Sequence, residues 1–344
     1  MNVSAGTTMR TRGLGRAGSR TRLRRLLASG TVLISMTAAL SAAPQASATY
    51  PGANGRIAFT ANLNGRSWQL YTMAPNGTDL RQLTHIPGSV DVSLAPDWSP
   101  DGTQIVFHSS TSGRLALYVI EADGTGRHRV FSDSKHDLFP TWSPDGMTIL
   151  FSRVFRSTGN AALFTIRADG TSLTRITGAR VDHAGARYTP DGSRILYNRS
   201  GDGEIASIWS IAADGSDPQR LTPTAIRAGF FDISPDGSNV VFYDGQNGPL
   251  PNSLWMMDID GGGLVRLTDA ECCYHDVGPS FSPDGTRILF TTDRNYVRQC
   301  CVELWSMDTD GTHVLELTSN LTVGGCPSRE LGNCSFGDWG PAAA

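Results

Sequence analysis

Ahead of four Ser-Pro or Thr-Pro dipeptides stand residue pairs that combine imidazole, carboxylate and guanidinium groups: His136-Asp137, Asp182-His183, Arg227-Ala228 and His275-Asp276. Imidazole and carboxylate together suit a divalent metal, and an arginine beside them suits a carboxylate or phosphate ligand. Neighbouring residues of an extended strand point to opposite faces, so one member of each pair can face a shared site. One register offers His136, Asp182, Arg227 and His275, and the other offers Asp137, His183 and Asp276. The same residues also read as solvated loop positions or as Asp side chains capping backbone turns. Other reactive patterns are missing. There is no Gly-x-Ser-x-Gly elbow, no His-Glu-x-x-His zinc helix and no Gly-Lys-Ser/Thr phosphate loop, and Lys135 is the single lysine.

The elements that must position these pairs are set by a repeat. Ser99-Pro100-Asp101-Gly102 recurs at Ser143–Gly146, Thr189–Gly192, Ser234–Gly237 and Ser282–Gly285. Each copy is followed by an apolar triplet such as Ile105-Val106-Phe107 or Ile288-Leu289-Phe290, and a shortened first copy opens with Asn54-Gly55 and reaches Ile57-Ala58-Phe59. Gly55 and the glycines that follow are spaced by 47, 44, 46, 45 and 48 residues. A second marker runs in step: Asn76-Gly77, Asp123-Gly124, Asp169-Gly170, Asp214-Gly215, Asp260-Gly261 and Asp310-Gly311. Five repeats then close on Leu-Thr or Ile-Thr, as in Leu83-Thr84 and Leu267-Thr268, while the second has Val130-Phe131.

Proline pre-sets the turn and glycine accepts the positive φ that closes a tight hairpin. Each unit therefore reads strand, Pro-Asp-Gly turn, strand, loop, strand, Asp-Gly turn, strand. Six such units predict an all-β fold, a six-bladed β-propeller with four antiparallel strands per blade. The first unit lacks its leading strand, and the tail Phe336-Gly337-Asp338-Trp339-Gly340-Pro341 matches that strand with nothing after it. The tail is expected to pair with the strand containing Ile57 and close the ring, which removes two exposed edges. Strand direction then puts every short turn on one face. The long, varied loops, Ala61–Trp68, Val154–Asn160, Asp244–Ser253, Thr292–Gln299 and Ser319–Ser335, gather on the other.

The motif Pro-x-Trp-Ser-Pro-Asp-Gly, clearest at Pro96–Gly102 and Pro140–Gly146, together with the downstream Asp-Gly and Leu-Thr, resembles the TolB-like propeller repeat. The resemblance covers roughly residues 51–341. It implies the propeller fold and a binding role through protein contacts. TolB itself has an α/β domain before its propeller, and here the first strand is expected within about ten residues of the predicted leader, without that domain.

That leader is residues 1–48, which leaves 49–344 as the propeller. Seven arginines from Arg10 to Arg25, an uncharged and mostly apolar run from Leu26 to Leu40, and small residues ending in Ala46-Ser47-Ala48 give the order of a secretory signal peptide. The apolar run is short for a membrane span, so no stable span is expected after cleavage. Without the leader, 22 basic residues face 32 acidic ones, which argues against a nucleic-acid partner. An extracellular, periplasmic or cell-envelope location permits disulfides among the six cysteines. All six, Cys272, Cys273, Cys300, Cys301, Cys326 and Cys334, map to the loop-rich face, without zinc-site spacing. The expected bridges are Cys326–Cys334 and two between the vicinal pairs, out of 15 possible pairings.

The inner strands line the channel, so the His/Asp/Arg pairs are expected to ring its mouth. The repeat tryptophans Trp98, Trp142, Trp209, Trp255, Trp305 and Trp339 are expected to pack between blades, and His85, His108, His128 and His313 to be exposed. Two functions follow. The first is a monomeric, noncatalytic scaffold that binds a protein or cell-envelope polymer across the loop face, as binding residues commonly sit on loops held by a rigid frame. The second is a metal-dependent enzyme, similar to polysaccharide lyases built on a related propeller, using a divalent metal in the His/Asp ring and Arg227 as a carboxylate clamp.

Overall fold

In the apolar triplets neighbouring side chains split between two interfaces. Ile105 and Phe107 pack with Ala58 and Leu70 on one side, while Val106 packs with Ile149 and Phe151 on the other. A strand buried on both faces needs apolar residues without alternation, which is why the triplet is continuous rather than every second residue. The computed structural model describes residues 51–63, 67–86, 93–110, 114–133, 135–201, 203–245, 252–269, 275–294, 303–318 and 334–343.

These residues form six four-stranded antiparallel sheets. The innermost strands are Cys334–Pro341 for blade 1, Ser93–Trp98 for blade 2, His136–Trp142 for blade 3, Asp182–Tyr188 for blade 4, Ala228–Ile233 for blade 5 and Asp276–Phe281 for blade 6. In blades 2 to 6 the four strands follow one another in sequence. Blade 1 takes its innermost strand from the C-terminal end and the other three, beginning with Asn54–Ala61, from the N-terminal end. The register places Ile57 opposite Trp339 and Ala58 opposite Asp338, as the orphan tail predicts. Six apolar clusters fill the interfaces between adjacent blades, the one between blades 6 and 1 joining Leu289, Leu304 and Leu317 to Ile57, Phe59 and Trp339.

The motif residues lock their own turns. In blade 2 the Ser99 hydroxyl donates to Asp101 Oδ1 at 2.6 Å, the Thr103 N–H donates to the same oxygen at 3.1 Å, and Gly102 adopts φ +68°. The closing threonine has an equally local task. Thr84, Thr177, Thr222, Thr268 and Thr318 each accept an N–H of the third strand of their blade, from Leu70, Leu163, Ile208, Leu254 and Leu304 at 2.8–3.0 Å. Among the described residues no helix is long and apolar enough to cross a membrane.

Every inner strand carries a β-bulge, seen as a register shift against the second strand, at the same place in five blades and one residue earlier in blade 5. Ala95 and Phe139 hold φ +50° there, and Gly185 and Gly278 sit at +56° and +58°. A bulge re-aims the side chains that follow it, and here it directs the residue between the proline and tryptophan positions toward the axis.

Candidate functional site

The middle residue of the Pro-x-Trp motif is Asp97, Thr141, Arg187, Asp232, Ser280 and Asp338 in successive blades. Its neighbour, the tryptophan position, is buried between blades, so strand alternation points the middle residue the other way. Arg187 reaches from blade 4 to three carboxylates: Nη1 lies 2.7 Å from Asp97 Oδ1, Nε 3.2 Å from Asp232 Oδ1, and Nη2 3.8 Å from Asp338 Oδ1. The second oxygen of each carboxylate accepts an N–H from the following blade, Asp97 from Trp142 (2.7 Å), Asp232 from Phe281 (2.7 Å) and Asp338 from Trp98 (2.9 Å). One guanidinium and three aspartates thus bridge all six inner strands.

The charges do not balance, and Asp97, Asp232 and Asp338 are buried. Burial, reinforced by the neighbouring Asp97 and only partly opposed by Arg187, pushes the Asp338 carboxyl up to about 7. Burial also raises Asp97, against Arg187 and the Trp142 N–H. Asp97 and Asp338 raise each other, because like charges this close disfavour joint ionisation.

On the loop-face side of this cluster lies a cavity of about 70 Å³, lined by Pro96, Phe139, Pro140, Phe230 and Pro279 with Arg187 at its inner end. Phe139 from blade 3 and Phe230 from blade 5 meet across it with ring centroids 4.9 Å apart. The space suffices for a few waters or one small group. His108 holds its rim. The Phe139 N–H donates to His108 Nδ1 at 3.3 Å, and burial drops the His108 imidazole to about 3, so the ring stays neutral and can accept. This corrects the expected exposure of His108, which is only 1% exposed. The second strand of blade 2 runs on to Ser110, and His108 lies on its buried part facing blade 3.

The sequence-predicted pairs stand at the loop-face ends of the inner strands, each with partners in its own blade or the one before. His136 is half-buried with Nε2 3.4 Å from Arg156 Nη2. Asp137 is buried and takes Arg153 through two bonds, Nε at 2.7 Å and Nη2 at 3.0 Å. Asp182 accepts the Ala161 N–H at 2.7 Å. His183 is buried, and its Nδ1 donates to the Gly178 carbonyl at 3.0 Å. Arg227 is half-buried, its carbonyl accepting the Gly245 N–H at 2.6 Å. His275 bonds Asp293 through its N–H (2.6 Å) and its Nδ1 (2.9 Å). Asp276 is buried under Arg294 (Nη2, 2.6 Å) and Thr292 (2.6 Å). The alternation is visible in burial: Asp137, His183 and Asp276 are inside, and His136, Asp182, Arg227 and His275 are partly exposed. Among the described residues no three His, Cys, Asp or Glu side chains are grouped to hold a metal ion. Cys272, Cys273, Cys300, Cys301 and Cys326 lie outside the described residues, and Cys334 is described only as the first residue of its strand.

The tryptophans divide in two. Trp98, Trp142 and Trp339 are buried between blades. Trp209, Trp255 and Trp305 of the third strands are partly buried and carry arginines on their rings, Arg199 at 4.3 Å, Arg266 at 6.0 Å and Arg294 at 6.0 Å.

Comparison with known proteins agrees with this architecture. The Tol-Pal system protein TolB of Syntrophus aciditrophicus is 36% identical over 78 residues, which is 22% of this chain and 17% of that protein. The matched part is thus about a sixth of that relative's length. The crystal structure of TolB from Acinetobacter baumannii superposes with a TM-score of 0.66 at 25% identity, covering 83% of this chain and 67% of that one. The putative TolB from Agrobacterium tumefaciens shares the fold with a TM-score of 0.59 at 24% identity, over 76% of this chain and 88% of that one. A family model described as the TolB beta propeller domain matches residues 25–157 and 125–322, more than half of the sequence, and the chain belongs to that family.

Proposed function

We propose that this protein is an exported scaffold that captures a protein or cell-envelope polymer on the loop-rich face of its propeller. The observation that carries this reading is the asymmetry of the two faces. On the turn face the aspartates are spent on their own turns: Asp101, Asp145, Asp191, Asp236 and Asp284 each accept the neighbouring Ser or Thr hydroxyl at 2.6 Å. The repeat assigns the connections that vary from blade to blade to the opposite face, where His136, Arg227 and His275 are partly exposed. A relative named a Tol-Pal system protein supports a partner that is itself a protein.

The leader, residues 1–48, supports export, and the six cysteines would then staple the loops of the binding face. The outer edge strands are only two residues long, too short to template pairing with a second copy, which supports a monomer. The test is a photo-crosslinking amino acid placed at Arg156 or Ser157 on the loop face, and at Thr103 or Ser193 on the turn face, in the producing cells. Adducts from the loop-face positions are expected. Adducts confined to the turn-face positions would overturn the assignment.

A further inference from the structure

Blades 3 and 4 place an arginine at the same repeat position but treat it differently. In blade 3, Arg153 stands opposite Asp137 in the register, with its guanidinium 5.1 Å from the Phe164 ring. Its Nε donates to Asp137 Oδ1 at 2.7 Å, and its Nη2 lies 2.7 Å from Asp133. In blade 4 the equivalent Arg199 lies 4.3 Å over Trp209, the counterpart of Phe164. The register sets His183 opposite Arg199 where blade 3 has Asp137, and Ala179 replaces Asp133.

Both carboxylates that neutralise the blade 3 guanidinium are therefore replaced in blade 4. The Arg199 Nε is buried and has no acceptor among the described residues, and the carboxylate of its ion pair, Glu204, stays 3.9 Å from Nη2. His183 cannot stand in for the aspartate. Its Nδ1 is committed to Gly178, and burial, with Arg199 adding repulsion, lowers its basicity. The same place is open to the outside as a groove between blades 3 and 4, with Ile176, Val181, Ile211 and Pro218 in its walls beside Arg199.

We propose that this groove docks a segment of a partner protein carrying an acidic side chain, whose carboxylate takes the Arg199 fork as Asp137 takes that of Arg153. A planar guanidinium fixed on an aromatic ring presents two parallel N–H donors to a carboxylate. The walls mix polar groups with Ile176 and Pro218, which favours a peptide, whose neighbouring apolar side chains can pack there, over a hydroxyl-rich uronate polymer. This holds whether or not the loop face binds an envelope partner.

The test is titration of the purified protein, with 15N-labelled tryptophan, by a capped octapeptide of valine and serine around one glutamate. The glutamine twin and a galacturonate oligomer are run in parallel. The glutamate peptide should perturb the Trp209 indole resonance, and the twin should bind about tenfold more weakly. Arg199→Gln should lose about tenfold in affinity. His183→Asp should lose as much, because it rebuilds the internal pair of blade 3, while the variant remains folded. Equal binding of the twin, wild-type affinity in His183→Asp, no response of Trp209 at millimolar glutamate peptide, or a response to the galacturonate oligomer alone would overturn the proposal.

Discussion

Trp339 and Ile57 face each other across blade 1, so the two ends of the described chain form one sheet. Trp339 is 3% exposed and packs with Leu289 and Leu304 of blade 6, which makes it both closure strand and interface core. Trp339→Ala is expected to cost about 3–5 kcal/mol, the range for removing a buried large aromatic side chain. Urea unfolding followed by tryptophan fluorescence measures it. A loss under about 1 kcal/mol would show that closure does not depend on this contact.

Arg187 is the single cation among Asp97, Asp232 and Asp338. Arg187→Met should destabilise the protein by about 3–5 kcal/mol at neutral pH, because buried carboxylates lose their partner. The loss should shrink as the pH falls toward 4 and Asp97 and Asp338, both raised by burial, protonate. Melting temperatures across that pH range check both the size and the direction.

Two buried groups pull the pH dependence of stability in opposite directions. Asp338, raised to about 7 from an unfolded value near 3.9, contributes stability that is full below about pH 4 and lost as the pH rises to about 7. His108, lowered to about 3 from about 6.5, contributes stability that is present above about pH 6.5 and lost on acidification. Relative to wild type, Asp338→Asn should lose stability more steeply on going from pH 7 to 4. His108→Gln, which keeps an acceptor near the Phe139 N–H, should instead gain over the same interval. Each difference is bounded by about 1.4 kcal/mol per pH unit for one proton. Denaturant midpoints at several pH values decide it, and parallel profiles for wild type and both variants would refute the assignment.

The closing threonines carry a prediction of their own. Thr268→Val keeps the shape but leaves the Leu254 N–H, which donates to Thr268 at 2.9 Å, without its acceptor. A cost of about 1–3 kcal/mol is expected from the buried donor. Chemical denaturation reads the loss, and amide hydrogen exchange at Leu254 should quicken with it.

Much of the fold was legible because its signals are local. Asp101 and Ser99 complete their turn within five residues, and Thr268 reaches only across its own blade. The missing first strand and the surplus last one announced the pairing of Ile57 with Trp339. The channel cluster was legible in principle, since strand alternation beside Trp98 and Trp339 turns Asp97 and Asp338 inward. The pairs His136-Asp137 and His275-Asp276 have the residue types of metal chemistry, but each is bonded within its own blade. The continuation of the second strand of blade 2 past Phe107 buried His108, and no local feature marks that.

The sequence alone determined the number of blades and the turns, because these depend on backbone conformations that a few adjacent residues dictate, and the closure, because the repeat leaves one strand missing at its start and one surplus at its end. Only the tertiary structure decided that Asp97 meets Arg187 across the axis and that Arg199, unlike Arg153, has no carboxylate at its Nε among the described residues. Ring geometry and the bulges bring residues from different repeats within bonding distance, and electrostatics depends on those distances rather than on position along the chain.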